Sequence, residues 1–248
     1  MPDFSKEQKI VWSLLQKTDV SLAAYGSDSS EAVNDYVNDK VYTMAAQMDA
    51  TWVKQGCTKV VFYFRDLMPD YVVKIPFMGF YCLPGDVYDE DEDINNIVMT
   101  ADFIDADPFG ENANAWDYCE RESNLYEMAM KSHLEEFFAG TYFIGVYNGC
   151  PIYISEYVDK YGWPRVQQKK FQNEDDYEKI VSNLENGEEA FGKKITLYLI
   201  EKYGKEKIVN LLHFIDDYDI CDLHSGNVFF TQNGNLKIVD YSGYNESY

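Results

Sequence analysis

Apolar residues recur at helical spacing across residues 4–17, at Ile10, Val11, Leu14 and Leu15, which predicts an amphipathic helix. Ser5 stands where an N-cap is wanted, with Gln8 three positions on as its capping-box partner. After a Gly26–Ser30 loop, Val33, Val37, Val41, Met44, Ala45 and Met48 predict a second helix near 30–48. The pattern then changes period. Residues 52–64 read as a strand, a tight turn around Gly56 and a β-rich strand; Asp66–Asp70 is a turn, and Tyr71–Ile75 returns as a third strand. Residues 114–138 read as one long helix. Two strands follow at 142–146 and 151–155, joined at Asn148-Gly149, a strong hairpin signal. From 174 to 217 the pattern is helical again, marked by Ile180, Val181 and Leu184, then by Phe191, Ile195, Leu199 and Ile200. Gly204 breaks it, and Ile208, Leu211, Leu212 and Ile215 resume it. Two short strands then flank a polar turn, Gln232–Asn235. Strands grouped apart from helices predict an α+β fold with antiparallel pairing.

Charge narrows the range of partners. The 248 residues carry 43 acids and 21 bases, a net charge of −22. Non-specific nucleic-acid binding and docking on anionic lipid both need a basic surface, so neither is expected. A basic protein partner, or mimicry of DNA by an acidic face, stays open, beside the commoner role of charge in solubility. Residues 85–111 contain ten acids and no Lys or Arg. They read first as a solvated loop or lid, and second as the place where a basic partner would bind. The Asp89–Asp93 run lacks the glycine and the final glutamate of an EF-hand. Five scattered cysteines without metal-ligand spacing predict neither a zinc site nor a disulfide framework, and so a reducing, cytoplasmic setting. No basic start followed by an apolar run marks a signal peptide. His213 is expected beside the last helix and His133 at the surface.

The chemistry concentrates near the end of the chain. Asp222-Leu223-His224-Ser225-Gly226-Asn227 precedes the first short strand, and Asp240 follows the second, in Ile238-Val239-Asp240-Tyr241. Oxygen-bearing side chains at the ends of a hairpin can converge on a hard cation such as Mg²⁺, which takes oxygen ligands together with phosphate and waters. Upstream, Lys74 stands alone among apolar residues in a strand. A half-buried lysine needs an anionic partner. The helix predicted at 114–138 offers Glu120, Glu122 and Glu127. Leu125, Met128 and Ala129 place Glu122 beside the buried face, and Glu127 is the second choice.

These motifs resemble the protein-kinase-like fold. The wording of the Asp222–Asn227 loop is closest to the aminoglycoside, choline and fructosamine phosphotransferases. The shortness is similar to that of small phage-encoded kinase-like proteins, for which the setting would be the host cytoplasm. The resemblance covers roughly residues 51–248. It implies a bilobal molecule: an N-terminal helical extension (1–50), a small ATP-binding lobe with an antiparallel sheet and the acidic insertion (51–158), and a truncated, mainly helical C-lobe (159–248). It further implies ATP and Mg²⁺ as cofactors. Lys74, held by Glu122, would pair the α- and β-phosphates. Gly56 would lie in the phosphate-covering loop, where relatives carry more glycines. The Glu156 carbonyl and the Val158 amide would bind the base from a hinge. Asn227 and Asp240 would hold Mg²⁺. Asp222 would accept or orient the acceptor hydroxyl of a protein or small molecule, and His224 would shape the loop or contact phosphate. The chain stops eight residues past Asp240, where a protein kinase continues with its peptide-binding helices. A catalytically inactive pseudokinase, or an acidic DNA-mimic that inhibits a basic partner, are the alternative readings.

Overall fold

The structure, a computed structural model, describes residues 2–20, 30–55, 59–76, 117–161, 191–220 and 223–242. The Gly56 turn, the acidic stretch 85–111, the helix expected around Ile180–Leu184 and Asp222 lie outside the described residues. The fold is mixed α+β. In chain order it comprises α1 (Ser5–Leu15), α2 (Ser30–Met48), β1 (Trp52–Gln55), β2 (Lys59–Tyr63), β3 (Tyr71–Pro76) and α3 (Asp117–Lys131). A short 3₁₀ turn (Glu135–Phe137), β4 (Thr141–Tyr147), β5 (Cys150–Glu156), α4 (Gly192–Tyr203), α5 (Lys205–Asp217), β6 (Val228–Phe230) and β7 (Leu236–Ile238) complete it. The chain divides into two compact units. One comprises Met1–Ser123 and Thr141–Tyr157, the other Asn124–Gly140 and Val158–Glu246.

The first unit is built on a five-stranded antiparallel sheet in the order β1-β2-β3-β5-β4. Alternation along the strands sorts its side chains onto two faces. Val60, Phe62, Val73, Ile75, Ile152 and Ile154 share one face and are fully buried. They form a single core with Val11, Leu14 and Leu15 of α1 and Val41, Met44 and Met48 of α2. Burying each such side chain stabilises by about 1.5–3 kcal/mol, so the two N-terminal helices are structural parts of this unit. Asn148 and Gly149 both take positive φ, 48° and 82°, as a two-residue hairpin loop requires.

The start of α1 departs from expectation. Ser5 is already helical, and no side chain caps the helix from Phe4. Instead the Asp3 carboxylate accepts both the Ser5 hydroxyl and, at 3.0 Å, the Ser5 N–H, and these bonds, the hydroxyl's first, hold the Asp3 carboxyl below its ordinary pKa. Gln8 does not reach back to close a capping box. Its side-chain amide donates to the Ile144 carbonyl of β4, beside a β-bulge between Phe143 and Gly145. A Cβ on Gly145, whose φ is +137°, would stand 3.1 Å from that Gln8 amide and 3.2 Å from the Trp12 ring. Glycine is needed there for close approach as well as for backbone conformation.

α3 is shorter than its apolar pattern predicts. It ends at Lys131 because His133 turns left-handed, at φ 57°. The Leu134 N–H then bonds the Ala129 carbonyl at 2.8 Å and the His133 N–H bonds Met130 at 3.2 Å, a Schellman closure. Asp49 closes α2 and Asp219 closes α5 in the same way. None of the three carries the glycine that usually announces such a stop, which is why Leu134, Phe137 and Phe138 read as more helix. They are instead buried in the second unit, where Phe138 packs on Phe214 and Tyr241. There β6 and β7 pair antiparallel. Phe138 bridges Ile238 on one side of this hairpin and Tyr161 bridges Phe230 on the other. Both helices predicted on either side of Gly204 are present, as α4 and α5, and Gly204 has φ 89° between them. His133 and His213 are both exposed.

Candidate functional site

The second face of the sheet is unlike the first. The register pairs Val61 with Lys74 and Lys74 with Tyr153, and pairs Val72 and Thr141 with Ser155. Directly opposed residues share a face, so Lys59, Lys74, Thr141 and Ser155 all project to one side. All four are buried. α3 brings the Glu122 carboxylate to them. Its buried stripe runs Cys119, Glu122, Tyr126, Ala129, the three-and-four spacing of one helix face. Glu120 is exposed and Glu127 half-buried, while Met128 turns outward rather than into the core.

Of the three glutamates that the helix offers, Glu122 is the one that reaches Lys74. Oε1 of Glu122 accepts from the Lys74 ammonium and, at 2.9 Å, from the Thr141 hydroxyl. Oε2 accepts from Lys59 at 3.4 Å. Thr141 and Ser155 lie 2.9 Å apart. Thr141 has one proton and donates it to the carboxylate, so Ser155 is the donor between the two hydroxyls. A buried carboxylate of 0% exposure is thus satisfied by two ammonium groups and a hydroxyl, the condition under which a buried charge is tolerated.

None of Lys59, Thr141 and Ser155 was expected from the sequence to meet Lys74 and Glu122. The signal for Lys59 was faint: a lysine two positions from Val61, which faces Lys74 only once the strand register is known. Thr141 stood just before the strand expected at 142–146, and Ser155 ended the strand expected at 151–155, where the hinge-like run begins.

At the end of β5, Glu156 pairs in register with Tyr71. The Tyr157 N–H donates to the Asp70 carbonyl at 2.8 Å, and its ring stacks on Tyr63 at 4.2 Å. Val158, half-buried, begins the second unit.

In the second unit the loop before β6 is tightly wound. The Asn227 and Val228 N–H groups donate to the His224 carbonyl at 2.9 and 3.0 Å. The His224 ring folds over Gly226, and its Nδ1 accepts the Gly226 N–H at 2.8 Å. That contact fixes Nδ1 as the unprotonated nitrogen. A Cβ on Gly226 would fall 2.4 Å from the ring, so the glycine in this His-Ser-Gly-Asn run serves the histidine. Lys160 holds the loop from outside, donating to the Ser225 carbonyl at 2.6 Å and lying over the Phe229 ring.

Asn227 is buried, and its carbonyl accepts the Val239 N–H at 2.8 Å. Val239 precedes Asp240, so the hairpin brings Asn227 and Asp240 to the same open end. Asp240 has φ 56°, which turns the chain sharply as β7 ends. Tyr241 is then fully buried, donating to the Ala139 carbonyl at 2.9 Å.

The donor chemistry of Asn227 and Asp240, an amide oxygen and a carboxylate, fits Mg²⁺. Among the described residues no group of three or more His, Cys, Asp or Glu side chains could hold a metal ion. Two protein oxygens suit an ion that completes its shell with phosphate and water better than a closed protein cage. No described helix is long and apolar enough to cross a membrane. Neither the protein-family models nor the curated proteins contain a match to this chain.

Proposed function

We propose that the protein is an ATP-dependent phosphotransferase of bilobal, protein-kinase-like build, transferring the γ-phosphoryl group to a hydroxyl of a protein or small molecule. The observation that carries this reading is the buried pair of Lys74 and Glu122 on the polar face of the sheet. A sheet face lined with apolar residues would be enough for packing. A rigidly held ammonium is instead what a polyphosphate needs, because charge placed before the ligand arrives requires no reorganisation.

The remaining roles follow from the same reading. Lys74 binds and orients the phosphates, with Glu122 as the residue that positions it. The Glu156 carbonyl and the Val158 amide take the base. Asn227 and Asp240 hold Mg²⁺, which when bound supplies neutralisation of charge on the phosphate oxygens. Asp222 accepts the proton of the acceptor hydroxyl. His224 and Gly226 set the loop that carries Asn227. Catalysis in this scheme is positioning and charge neutralisation.

The test is thermal unfolding with nucleotide. Mg²⁺ and ATP together should raise the unfolding temperature, by a stabilisation of about 2.7 kcal/mol at a hundred times Kd. Labelled phosphate should move from ATP to an acceptor in the wild type and not in Asp222→Ala, which should still bind. Absence of any shift with Mg-ATP rules the reading out.

A further inference from the structure

We infer that Lys160 is a positioning residue for the Mg²⁺ site: it ties the segment that follows the Val158 amide to the loop that carries Asn227. The role toward Mg²⁺ rests on the phosphotransferase reading; the hold on the loop does not.

Residues 158–161 are joined to the start of the β6–β7 hairpin at three points. The Lys160 ammonium donates to the Ser225 carbonyl at 2.6 Å. It also lies 4.7 Å from the centre of the Phe229 ring. The Tyr161 N–H donates to the Phe230 carbonyl at 2.8 Å, and the two residues form an antiparallel bridge. Asn227 lies between the residues so held, two after Ser225 and two before Phe229.

Lys160 is exposed, and an exposed lysine ordinarily keeps its rotamer freedom. Here it is held by a neutral carbonyl and an aromatic face, in a chain that carries 43 acids. A charged donor makes a stronger bond to a carbonyl than a neutral one does, and the Phe229 ring adds cation–π attraction. The other bonds of the loop lie within the hairpin. The Asn227 and Val228 N–H groups meet the His224 carbonyl, and the Asn227 carbonyl takes the Val239 N–H. They fix the winding of the loop. Lys160 bonds it from outside, and so sets where that winding sits relative to Val158, two residues away. The amide proposed to take the base and the side chain proposed to take Mg²⁺ thus share one tied frame.

The experiment compares wild type, Lys160→Met and Lys160→Arg by calorimetric titration with ATP, once with Mg²⁺ and once with EDTA. Wild type should bind ATP more tightly with Mg²⁺. Lys160→Met should cut that advantage by about threefold to thirtyfold, with binding in EDTA changed by less than about threefold. Lys160→Arg should recover most of the loss, since a guanidinium also donates to a carbonyl. If Lys160 only lends stability, the methionine variant will weaken both titrations alike, or neither, and either result overturns the inference.

A second measurement needs no nucleotide. In Lys160→Met the Asn227 and Val228 amides should exchange hydrogen about threefold to thirtyfold faster, while those of Leu211 and Leu212 in α5 keep their wild-type rates. Unchanged exchange at Asn227 and Val228 overturns the inference, as does faster exchange in α5 as well. Wild type that binds no ATP in either titration, or binds it equally in both, refutes the phosphotransferase reading and this role with it. Wild type with a Mg²⁺ advantage that Lys160→Met retains in full refutes this role alone.

Discussion

The ammonium of Lys74 and the carboxylate of Glu122, 48 positions apart in the chain, meet where neither is open to solvent. Removing one partner from a buried pair leaves the other charge stranded, at a cost of about 3–5 kcal/mol. Glu122→Leu should be the most damaging substitution at this face, because it takes one shared carboxylate from two buried lysines and the Thr141 hydroxyl at once. Lys74→Met/Glu122→Leu should be less destabilised than Glu122→Leu alone, since the pair is then replaced by apolar volume. Urea unfolding of Glu122→Leu, Lys74→Met and the double variant checks this; a double mutant as unstable as the sum of its parts would show that the two residues do not interact.

Gly226→Ala should cost about 1–3 kcal/mol. The new methyl group would meet the His224 ring, which must swing out and give up the bond from the Gly226 N–H. His224→Ala removes the obstacle and the acceptor together. Adding Gly226→Ala to His224→Ala should therefore cost little more, and equilibrium unfolding of the single and double variants measures that non-additivity.

His133→Gly should stabilise the protein by about 0.5–1 kcal/mol, because it relieves a left-handed non-glycine residue at the end of α3. The side chain is exposed, so nothing of the core is lost. A higher denaturation midpoint with an unchanged denaturant dependence is the expected readout.

Gly145→Ala should destabilise by about 1–3 kcal/mol, through positive φ and through contact with Gln8 and Trp12. Adding Trp12→Ala should relieve only the steric part. The comparison, made by thermal unfolding of the two single variants and the double variant, separates backbone strain from crowding.

Stability should fall in alkali. The Tyr71 phenol is held above its ordinary value of 10.0, first by burial and then by the neighbouring Tyr142, Glu7, Asp70 and Glu156. The folded state keeps that proton more tightly than the unfolded chain does. Its contribution is complete below pH 10.0 and disappears as pH rises through the elevated folded value. Tyr203 and Tyr198 are raised by burial too. Tyr71→Phe should flatten the alkaline limb of the stability profile in part, as followed by unfolding temperature between neutral pH and strong alkali.

Much of this arrangement was legible before any fold was considered. The three strands at 52–76, the Asn148-Gly149 hairpin and the break at Gly204 each carry a local signal: alternation, turn chemistry or a residue able to take positive φ. Glu122 was legible because a helix period relates it to Leu125 and Ala129. The capping box was not, because whether Gln8 turns back to its own helix or out to Ile144 depends on a strand more than a hundred residues away. The end of α3 was hidden for a related reason. His133 accepts a strained conformation that only packing of Leu134 and Phe138 in the second unit can hold.

The chain's own order therefore determines the elements, the two-faced strands and the identity of the polar residues available for chemistry, since these rest on neighbours a few positions apart. Which polar residues meet is a property of register and of helix placement. Lys59 joins Lys74 because β2 and β3 pair with Val61 opposite Lys74. Thr141 and Ser155 join them through β5, and His224 claims Gly226 through the winding of one loop. Such pairings are set by long-range burial, which no local period encodes, and so only the tertiary structure decided that one carboxylate would serve two lysines.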